Sequence, residues 1–277
     1  MKRAGFLSWA LWFGYAFLYV PIALLIIYSF NENRLVTVWS GFSTKWYGEL
    51  LENEQLLSAA RLSLEVGAIS ATVSTILGTI AGLALARFGR FRGRTLFGGM
   101  ITAPLVMPEV ITGLSLLLVF VALEGLTGWP DGRGMTTITI AHTTFTMAYV
   151  AVVVQSRLVS MDESLEEAAM DLGARPAKVF FVITLPIISP AIVSGWLLAF
   201  TLSLDDLVIA SFVSGPGSTT LPMVIFSSVR FGVSPQVNAL ATIIVLLVAT
   251  GIFIATMMMA RQDRQRLRDE QMAQQGG

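Results

Sequence analysis

Cysteine is absent from this 277-residue chain, and histidine occurs once, as His142. Without thiols the chain has no disulfide, no thiolate metal site and no cysteine nucleophile. A single imidazole argues against a histidine-based metal site within the chain. Charged residues are also scarce, at 13% of the sequence, and they balance to a net charge of zero. The sequence has no basic arm and no base-stacking module, and we expect no nucleic-acid partner.

A phosphate-binding loop is missing as well. No stretch matches the G-x-x-x-x-G-K-[ST] pattern, and neither Lys45 nor Lys178 lies in a Gly-rich segment. The chain therefore does not hydrolyse ATP by that route. It also lacks an H-E-x-x-H pair and any pairing of a nucleophile with a base, so an intramembrane enzyme is disfavoured.

Apolar residues dominate what is present. They make up 55% of the chain, and the mean hydropathy is +0.73. These values predict an all-α, polytopic membrane protein in the lipid bilayer. Six transmembrane helices are predicted, at about residues 6–30, 62–86, 96–123, 135–154, 190–213 and 239–260. A cleaved signal peptide is the alternative for the first, but Tyr28-Ser29-Phe30-Asn31 offers no cleavage site of small residues.

The distribution of Lys and Arg predicts the orientation of these spans. Of the 18 basic residues, 13 fall on the side that holds both termini. Because cytoplasmic loops carry an excess of Lys and Arg, both termini are expected in the cytoplasm. The basic residues on that side include the tail set Arg261, Arg264, Arg266 and Arg268.

Several spans contain residues that are unusual in lipid. Pro104 and Pro108 predict a kink or break in the third span, and Glu109 beside them suggests a cavity lining. The fourth span is rich in threonine, which favours hydrogen bonds between helices. His142 lies in that span, and a hydrogen-bonded structural role is favoured over a proton relay.

The fifth span is ambiguous at its far end. The apolar run from Pro190 to Leu204 is too short, at about 22 Å, for a hydrocarbon core of about 30 Å. Extending the helix to residue 213 places Asp205 and Asp206 inside the membrane, where carboxylates mark a cavity or ion path by default. The alternative is that both acids cap the helix or bind another subunit.

Residues 160–190 form a polar segment between two apolar runs. Ser160 and Glu163 have the spacing of a capping box that starts a helix, and Gly173 has the place of its left-handed terminator. Pro176 suits the first position of a second short helix, giving a hairpin over residues 160–181. One face of the first helix is apolar, with Leu165, Ala168, Ala169 and Leu172, while Glu163, Glu166, Glu167 and Asp171 are expected to face water or a partner. Too small to bury its own apolar face, the hairpin needs a docking surface.

The same segment carries a longer pattern. Glu167-Ala168-Ala169, Gly173, Ile183 and Leu185-Pro186 occur at fixed spacing over twenty residues. This pattern resembles the EAA signature of permease subunits of binding-protein-dependent ABC importers. The resemblance implies a type I ABC importer permease fold, in which the loop is a cytoplasmic coupling helix in a groove of the ATP-hydrolysing subunit. The coupling residues it implies are Glu166, Glu167, Ala168, Ala169, Gly173, Ile183, Leu185 and Pro186.

Nearly the whole chain resembles the polyamine branch of these permeases. The carrying stretches are residues 28–31, 39–47 and, above all, 204–222. The resemblance implies a bacterial inner-membrane importer for putrescine or spermidine. It implies four kinds of partner: a sister permease, two ATP-binding subunits, a periplasmic polyamine-binding protein and the bilayer. No cofactor is expected in this chain, since ATP-Mg would be bound by the partner ATPase.

A cationic solute agrees with the acids in or near the spans. Carboxylates and aromatic faces are the groups that suit a diammonium ligand. The expected pathway residues are Asp205, Asp206, Glu109, Glu65, Trp196 and Phe200. Two alternatives stay open: an ABC importer for another small solute, and a secondary transporter coupled to ions through Glu65, Glu109 or His142.

Overall fold

The computed structural model describes residues 2–35, 38–231, 234–250, 253 and 257. Over these residues the secondary structure is helical, apart from one isolated bridge between Asn31 and Phe42. The all-α prediction is confirmed. The α-helices are α1 Lys2–Ser29, α2 Lys45–Glu52, α3 Glu54–Arg87, α4 Arg94–Val106, α5 Glu109–Thr127, α6 Met135–Ser160, α7 Ser164–Asp171, α8 Pro176–Val179, α9 Leu185–Asp205, α10 Val208–Val213, α11 Leu221–Phe231 and α12 Pro235–Thr250.

Five stretches of helix are long and apolar enough to cross a membrane. They are Phe6–Ser29, Glu54–Arg87, Glu109–Thr127, Met135–Ser160 and Pro176–Asp205. A shorter apolar helix, Pro235–Thr250, occupies the place of the predicted sixth span. The last residues of that predicted span, and the basic tail from Arg261 to Arg268, lie outside the described part of the chain.

The predicted third span, residues 96–123, is two helices rather than one. Helix α4 ends at Val106, Met107 and Pro108 are extended, and α5 begins at Glu109. Pro108 has no amide hydrogen to continue the ladder, and its ring conflicts with helical backbone before it. Pro104, by contrast, stays inside α4. The predicted break is confirmed at Pro108, and α5 extends to Thr127, beyond the predicted end of the span.

Helix α3 begins eight residues before the predicted second span. Residues 54–61, which precede the predicted span, form its first two turns. The reason is local: Glu54 complements the positive end of the helix dipole, and the Leu and Ala residues that follow are strong helix formers. The segment between the first and second predicted spans also contains α2.

The fifth span differs from its prediction at both ends. A continuous apolar helix starts at Pro176, passes through a π-helical turn over Phe180–Thr184, and runs to Asp205. The second helix of the expected hairpin, α8, begins at Pro176 as predicted, but it continues into this span rather than ending near residue 181. The chain then breaks at Asp206, which is extended, before α10 begins. The predicted helix through residue 213 is thus interrupted at the two acids.

Residues 1–54 and 228–277 make up one compact unit. The loop between α1 and α2 is held together by hydrogen bonds of Asn31, which is fully buried. The Asn31 side chain donates to the Val38 carbonyl (2.7 Å) and accepts from the Ser40 amide (3.0 Å), while its carbonyl accepts from Trp46 Nε1 (2.6 Å). These bonds fix the path of the chain from α1 to α2.

Residues 55–227 make up the second unit. Small residues of α3 let α6 approach closely: a Cβ added at Gly78 would lie 2.8 Å from Val150 Cβ. Ser74 Oγ hydrogen-bonds to the Thr143 carbonyl (3.1 Å) and to Thr146 Oγ1 (2.6 Å) across the same contact. Such hydrogen bonds between helices are what the threonine-rich sequence of α6 favours.

Helices α9 and α10 of this unit pack on α5 and α6. Thr137 of α6 donates to the Val213 carbonyl of α10 (2.7 Å). A Cβ at Gly113 of α5 would meet Phe212 of α10 at 2.7 Å, and one at Gly195 of α9 would meet Val150 of α6 at 3.3 Å. These close approaches hold α9 and α10 against the centre of the unit.

Candidate functional site

The polar segment contains helix α7, which starts differently from the prediction. Ser160 is the last residue of α6, and its hydroxyl donates to the Arg157 carbonyl (2.8 Å). Helix α7 begins at Ser164, whose amide donates to Asp162 Oδ1 (3.0 Å). This bond to the charged carboxylate lowers the pKa of Asp162. The predicted capping box of Ser160 with Glu163 is therefore wrong, because α6 continues through Ser160.

The end of α7 is as predicted. Gly173 has a φ of +87°, the left-handed conformation that favours glycine. Its amide donates to the Met170 carbonyl (2.8 Å), and the Ala174 amide donates to the Ala169 carbonyl (3.0 Å). These two bonds are the Schellman motif, so Gly173 both ends the helix and turns the chain toward Pro176.

One face of α7 is held from inside by Arg87, the last residue of α3. Arg87 Nε donates to Glu166 Oε2 (2.7 Å), and Nη1 donates to Glu163 Oε1 (3.0 Å). The second oxygen of Glu166 accepts from the hydroxyl of buried Thr184. We call these four residues, Arg87, Glu163, Glu166 and Thr184, the Arg87 cluster. Only 12% of the Arg87 side chain and 13% of the Glu166 side chain are exposed. Glu166, which was expected to face water or a partner, faces the chain interior.

The opposite face of α7 has no cover in the described chain. Leu172 is 90% exposed and Leu165 is 49% exposed. Ala168 and Glu167 are exposed beside them. Exposed apolar side chains rimmed by charge are typical of an interaction surface. Of the predicted coupling residues, Ala168 therefore lies on the open face, Glu166 lies on the closed one, and Glu167 is exposed at the edge between them.

A cavity of about 400 Å³ lies between α7, the end of α3 at Arg87 and the π-helical turn before α9. The charged members of the Arg87 cluster and Glu167 line it, and Phe88 and Phe180 contribute aromatic walls. The direct bonds between α7 and α3 are the two ion pairs of Arg87, and apolar residues of both helices, Leu83 and Met170, also line the cavity.

The remaining predicted coupling residues lie where the polar segment joins α9. Ile183 is in the π-helical turn, and Leu185 and Pro186 open α9. The Leu185 amide bonds back to the Phe180 carbonyl, one residue further than in an α-helix. Pro186 lacks an amide hydrogen and would crowd the preceding α-helical turn, so a wider turn suits the proline. The same turn carries Thr184 to Glu166.

A second polar centre lies inside the bundle, around His142 of α6. This side chain is 1% exposed, and both ring nitrogens have partners: Ser203 Oγ at 2.6 Å and Asp206 Oδ2 at 3.1 Å. Ser70 of α3 donates to the same Ser203 hydroxyl (3.0 Å). The network joins α3, α6, α9 and the break before α10. His142 is hydrogen-bonded within the core, as the structural interpretation predicted.

Asp206 is also the cap of α10. Its carboxylate accepts from the Ile209 amide (3.2 Å) and the Ala210 amide (2.7 Å). Together with His142, these donors leave it 8% exposed. The capping alternative therefore describes Asp206, while Asp205, one residue earlier, is exposed at the end of α9.

The other predicted pathway residues have different surroundings. Trp196 and Phe200 stack at 5.3 Å between ring centroids, and Trp196 Nε1 donates to Thr72 Oγ1 (3.1 Å). Glu65 already has a cation partner, Arg61, at 2.7 Å on the same helix. Glu109 is exposed at the first position of α5. Asp205 and Glu109 are thus the two predicted pathway acids with open carboxylates.

Sequence reasoning missed two residues that organise these sites. Arg87 was counted only as one of the basic residues of the predicted cytoplasmic side, and Ser203 was not singled out. Their partners are distant along the chain, at 79 residues for the Arg87–Glu166 bond and 61 residues for the His142–Ser203 bond. The position of Arg87 at the end of a span, facing an acidic helix, was the available signal.

Comparisons with known proteins agree with this geometry. Residues 75–268 match the family described as the inner membrane component of binding-protein-dependent transport systems. The chain is 66% identical to the putrescine transport system permease protein PotI of Escherichia coli (strain K12), over 95% of this chain and 94% of that protein. It is 42% identical to the spermidine/putrescine transport system permease protein PotC of the same organism, over 94% of each.

Solved structures share the fold at low sequence identity. A chain of a bacterial ABC transporter that imports the acidic polysaccharide alginate superposes with a TM-score of 0.68 at 17% identity, covering 93% of this chain and 95% of that one. A chain of the MetNI methionine ABC transporter gives a TM-score of 0.59 at 16% identity, covering 72% and 92%. These similarities establish the fold alone. Together with the family match and the close relatives, they show that the chain belongs to the inner-membrane permease components of binding-protein-dependent transport systems.

Proposed function

We propose that this chain is one permease subunit of an ATP-driven importer of polyamines, putrescine or spermidine. The observation that carries the proposal is 66% identity to a putrescine permease over 95% of the chain. The second relative, at 42% identity, is named for spermidine and putrescine. Both names belong to one class of solute, a flexible chain with two or more ammonium groups.

The open face of α7 is where the ATP-binding subunit would dock. It offers apolar Leu165 and Leu172, rimmed by Glu167, and nothing in the described chain covers it. ATP-Mg would be bound by two such partner subunits, since the chain has no phosphate-binding loop. ATP-driven closure of those subunits would pull on α7, and the attached spans would alternate between inward-facing and outward-facing states.

The solute would pass between this chain and a sister permease after delivery by a periplasmic binding protein. Asp205 and Glu109 supply open carboxylates for ammonium groups, and the stacked Trp196 and Phe200 supply an aromatic face. In this arrangement α7 and both termini face the cytoplasm, in agreement with the excess of Lys and Arg on that side. Asp206 is not included, because its carboxylate is already bonded to His142 and α10.

The test is uptake of labelled putrescine and spermidine into vesicles that contain the complete reconstituted system. Wild type is compared with Glu167→Arg and with Glu124→Arg, an equal charge change on an exposed residue near the end of α5. We expect uptake that requires ATP, collapses in Glu167→Arg and persists in Glu124→Arg. ATP-independent uptake would favour an ion-coupled secondary transporter. If the system is ATP-driven but takes up neither polyamine, the chain would still be an importer permease, and polyamines would be rejected as its solute.

A further inference from the structure

Arg87 joins the end of α3 to α7, and the proposed function gives this residue no role. It is the last residue of α3, while its two carboxylate partners flank and open α7. Through Glu166 it also reaches Thr184, in the π-helical turn that leads into α9. One buried guanidinium therefore connects α7 to the ends of two membrane-spanning helices.

The connection is polar in an otherwise loosely packed region. A cavity of about 400 Å³ lies under α7, and the apolar residues Leu165 and Leu172 point away from it. The two ion pairs of Arg87 are therefore the direct bonds that hold α7 against α3. Charge-assisted bonds of 2.7 and 3.0 Å to a shielded arginine are stronger and more directional than exposed ion pairs.

The orientation of Arg87 indicates that the two glutamates fix its position. Its third nitrogen, Nη2, is buried and has no hydrogen-bond partner within the described residues. A guanidinium free to choose its surroundings would satisfy all of its N–H groups. The other two nitrogens, Nε and Nη1, are both committed to the carboxylates of Glu166 and Glu163.

We infer that Arg87 is a positioning residue for energy coupling: the Arg87 cluster makes α7 move as one body with α3 and α9. This inference rests on the proposed ATP-driven function. In it, the open face of α7 receives the displacement of the ATPase, and the closed face transmits it to the spans. Loss of the cluster leaves α7 docked to the ATPase but without its charge-assisted bonds to the end of α3.

The experiment measures solute taken up per ATP hydrolysed by the complete reconstituted importer. Arg87→Met is expected to retain bound ATPase subunits and ATP hydrolysis, while uptake per ATP falls about tenfold, the scale of one lost charge-assisted bond. Uptake per ATP by Arg87→Lys should lie between the wild-type and Arg87→Met values. The lysine ammonium cannot bond both carboxylates in the way that the forked guanidinium of arginine does. Arg90→Met is the matched control: it removes the same charge from an exposed position three residues later, in the loop that follows α3.

The absence of cysteine allows a rescue that a general structural role would not show. In the double variant Arg87→Cys, Glu166→Cys, a short bifunctional thiol reagent joins α3 to α7 without restoring any charge. Uptake per ATP should be low before the reagent and near wild type after it. If cross-linking restores nothing, or if Arg87→Met keeps the wild-type ratio, the inference is overturned. Loss of bound ATPase subunits in Arg87→Met would also overturn it, in favour of a docking role.

A measurement on the permease alone separates this inference from the proposed function. Hydrogen exchange of the amides of α7 should rise in Arg87→Met and stay at the wild-type level in Arg90→Met. Unchanged exchange of α7 overturns the cluster as a mechanical connection, whatever the solute. ATP-independent uptake by the wild-type system would instead reject the proposed function.

Discussion

Two pairs of adjacent acids can be compared directly in this protein: Glu166 and Glu167 in α7, and Asp205 and Asp206 at the end of α9. In each pair one carboxylate is bonded inside the chain and its neighbour is exposed. The internal partners differ. Glu166 binds a guanidinium, whereas Asp206 binds a histidine ring and the free amides of a helix start.

The comparison shows that neighbouring residues of one chemical type can have opposite surroundings in the folded chain. Successive residues of a helix point about 100° apart, so one acid at an interface lies inside while the next lies outside. At Asp205 and Asp206 the helix itself ends between the two, which separates them further. The inner acid fixes the backbone, and the outer acid is free for a partner or solute.

The largest effect is expected at Asp206, the internally bonded acid of the pair at the end of α9. Asp206→Ala removes the cap of α10 and leaves His142 and two backbone amides without their shared acceptor. We expect a loss of about 3 kcal/mol in the free energy of unfolding, the scale for breaking a buried charged network. Thermal unfolding in detergent measures it, with Asp205→Ala as the control. Equal destabilisation by the two variants would contradict the division of roles.

The second-largest effect is expected at Glu167, the exposed acid of the pair in α7. Glu167→Arg should weaken binding of the ATPase subunits by about 100-fold, because it removes one charge and adds the opposite one at the docking rim. The stability of the permease alone should not change, since Glu167 is exposed. Co-purification at graded salt concentrations, together with thermal unfolding, checks both statements. A destabilised permease with normal ATPase binding would reverse the roles of Glu166 and Glu167.

A smaller effect is expected at the outer acid of the second pair. Asp205→Asn keeps the shape of the side chain and removes its charge, so the KM for a dicationic solute should rise about tenfold, or about 1.4 kcal/mol. Assembly should be unaffected because the side chain is exposed. Asp131→Asn, in an exposed loop, is the control for net charge. An unchanged KM would remove Asp205 from the solute pathway.

The smallest effect concerns Asp162, an exposed acid that precedes both α7 residues. Its pKa is lowered because the ionised carboxylate accepts the Ser164 amide. The stabilisation is therefore present above the ordinary carboxyl pKa and is lost as the pH falls through the lowered pKa. Asp162→Ala should slightly increase hydrogen exchange at the start of α7 at neutral pH, whereas Asp162→Asn, which keeps an acceptor oxygen, should not. Equal exchange in both variants would remove this cap from the account of α7.

The sequence by itself determined much of the architecture. Its long apolar runs require helices, since backbone groups in lipid must be bonded within their own segment. Pro108 and Gly173 set their own boundaries through a missing amide and a left-handed φ, and both positions were predicted correctly. The spacing of Glu167, Ala168, Ala169, Gly173, Ile183, Leu185 and Pro186 was sufficient to indicate the family.

Only the tertiary structure decided which member of each acid pair faces inward. Ser160 has the local spacing of a cap, yet α6 continues through it. Glu166 and Asp206 depend on Arg87 and His142, which come from other helices, and no local pattern specifies such partners. Periodicity tells which residues share a face of a helix, but what that face meets depends on how the helices pack, because a buried charge is stable only where packing brings it a partner.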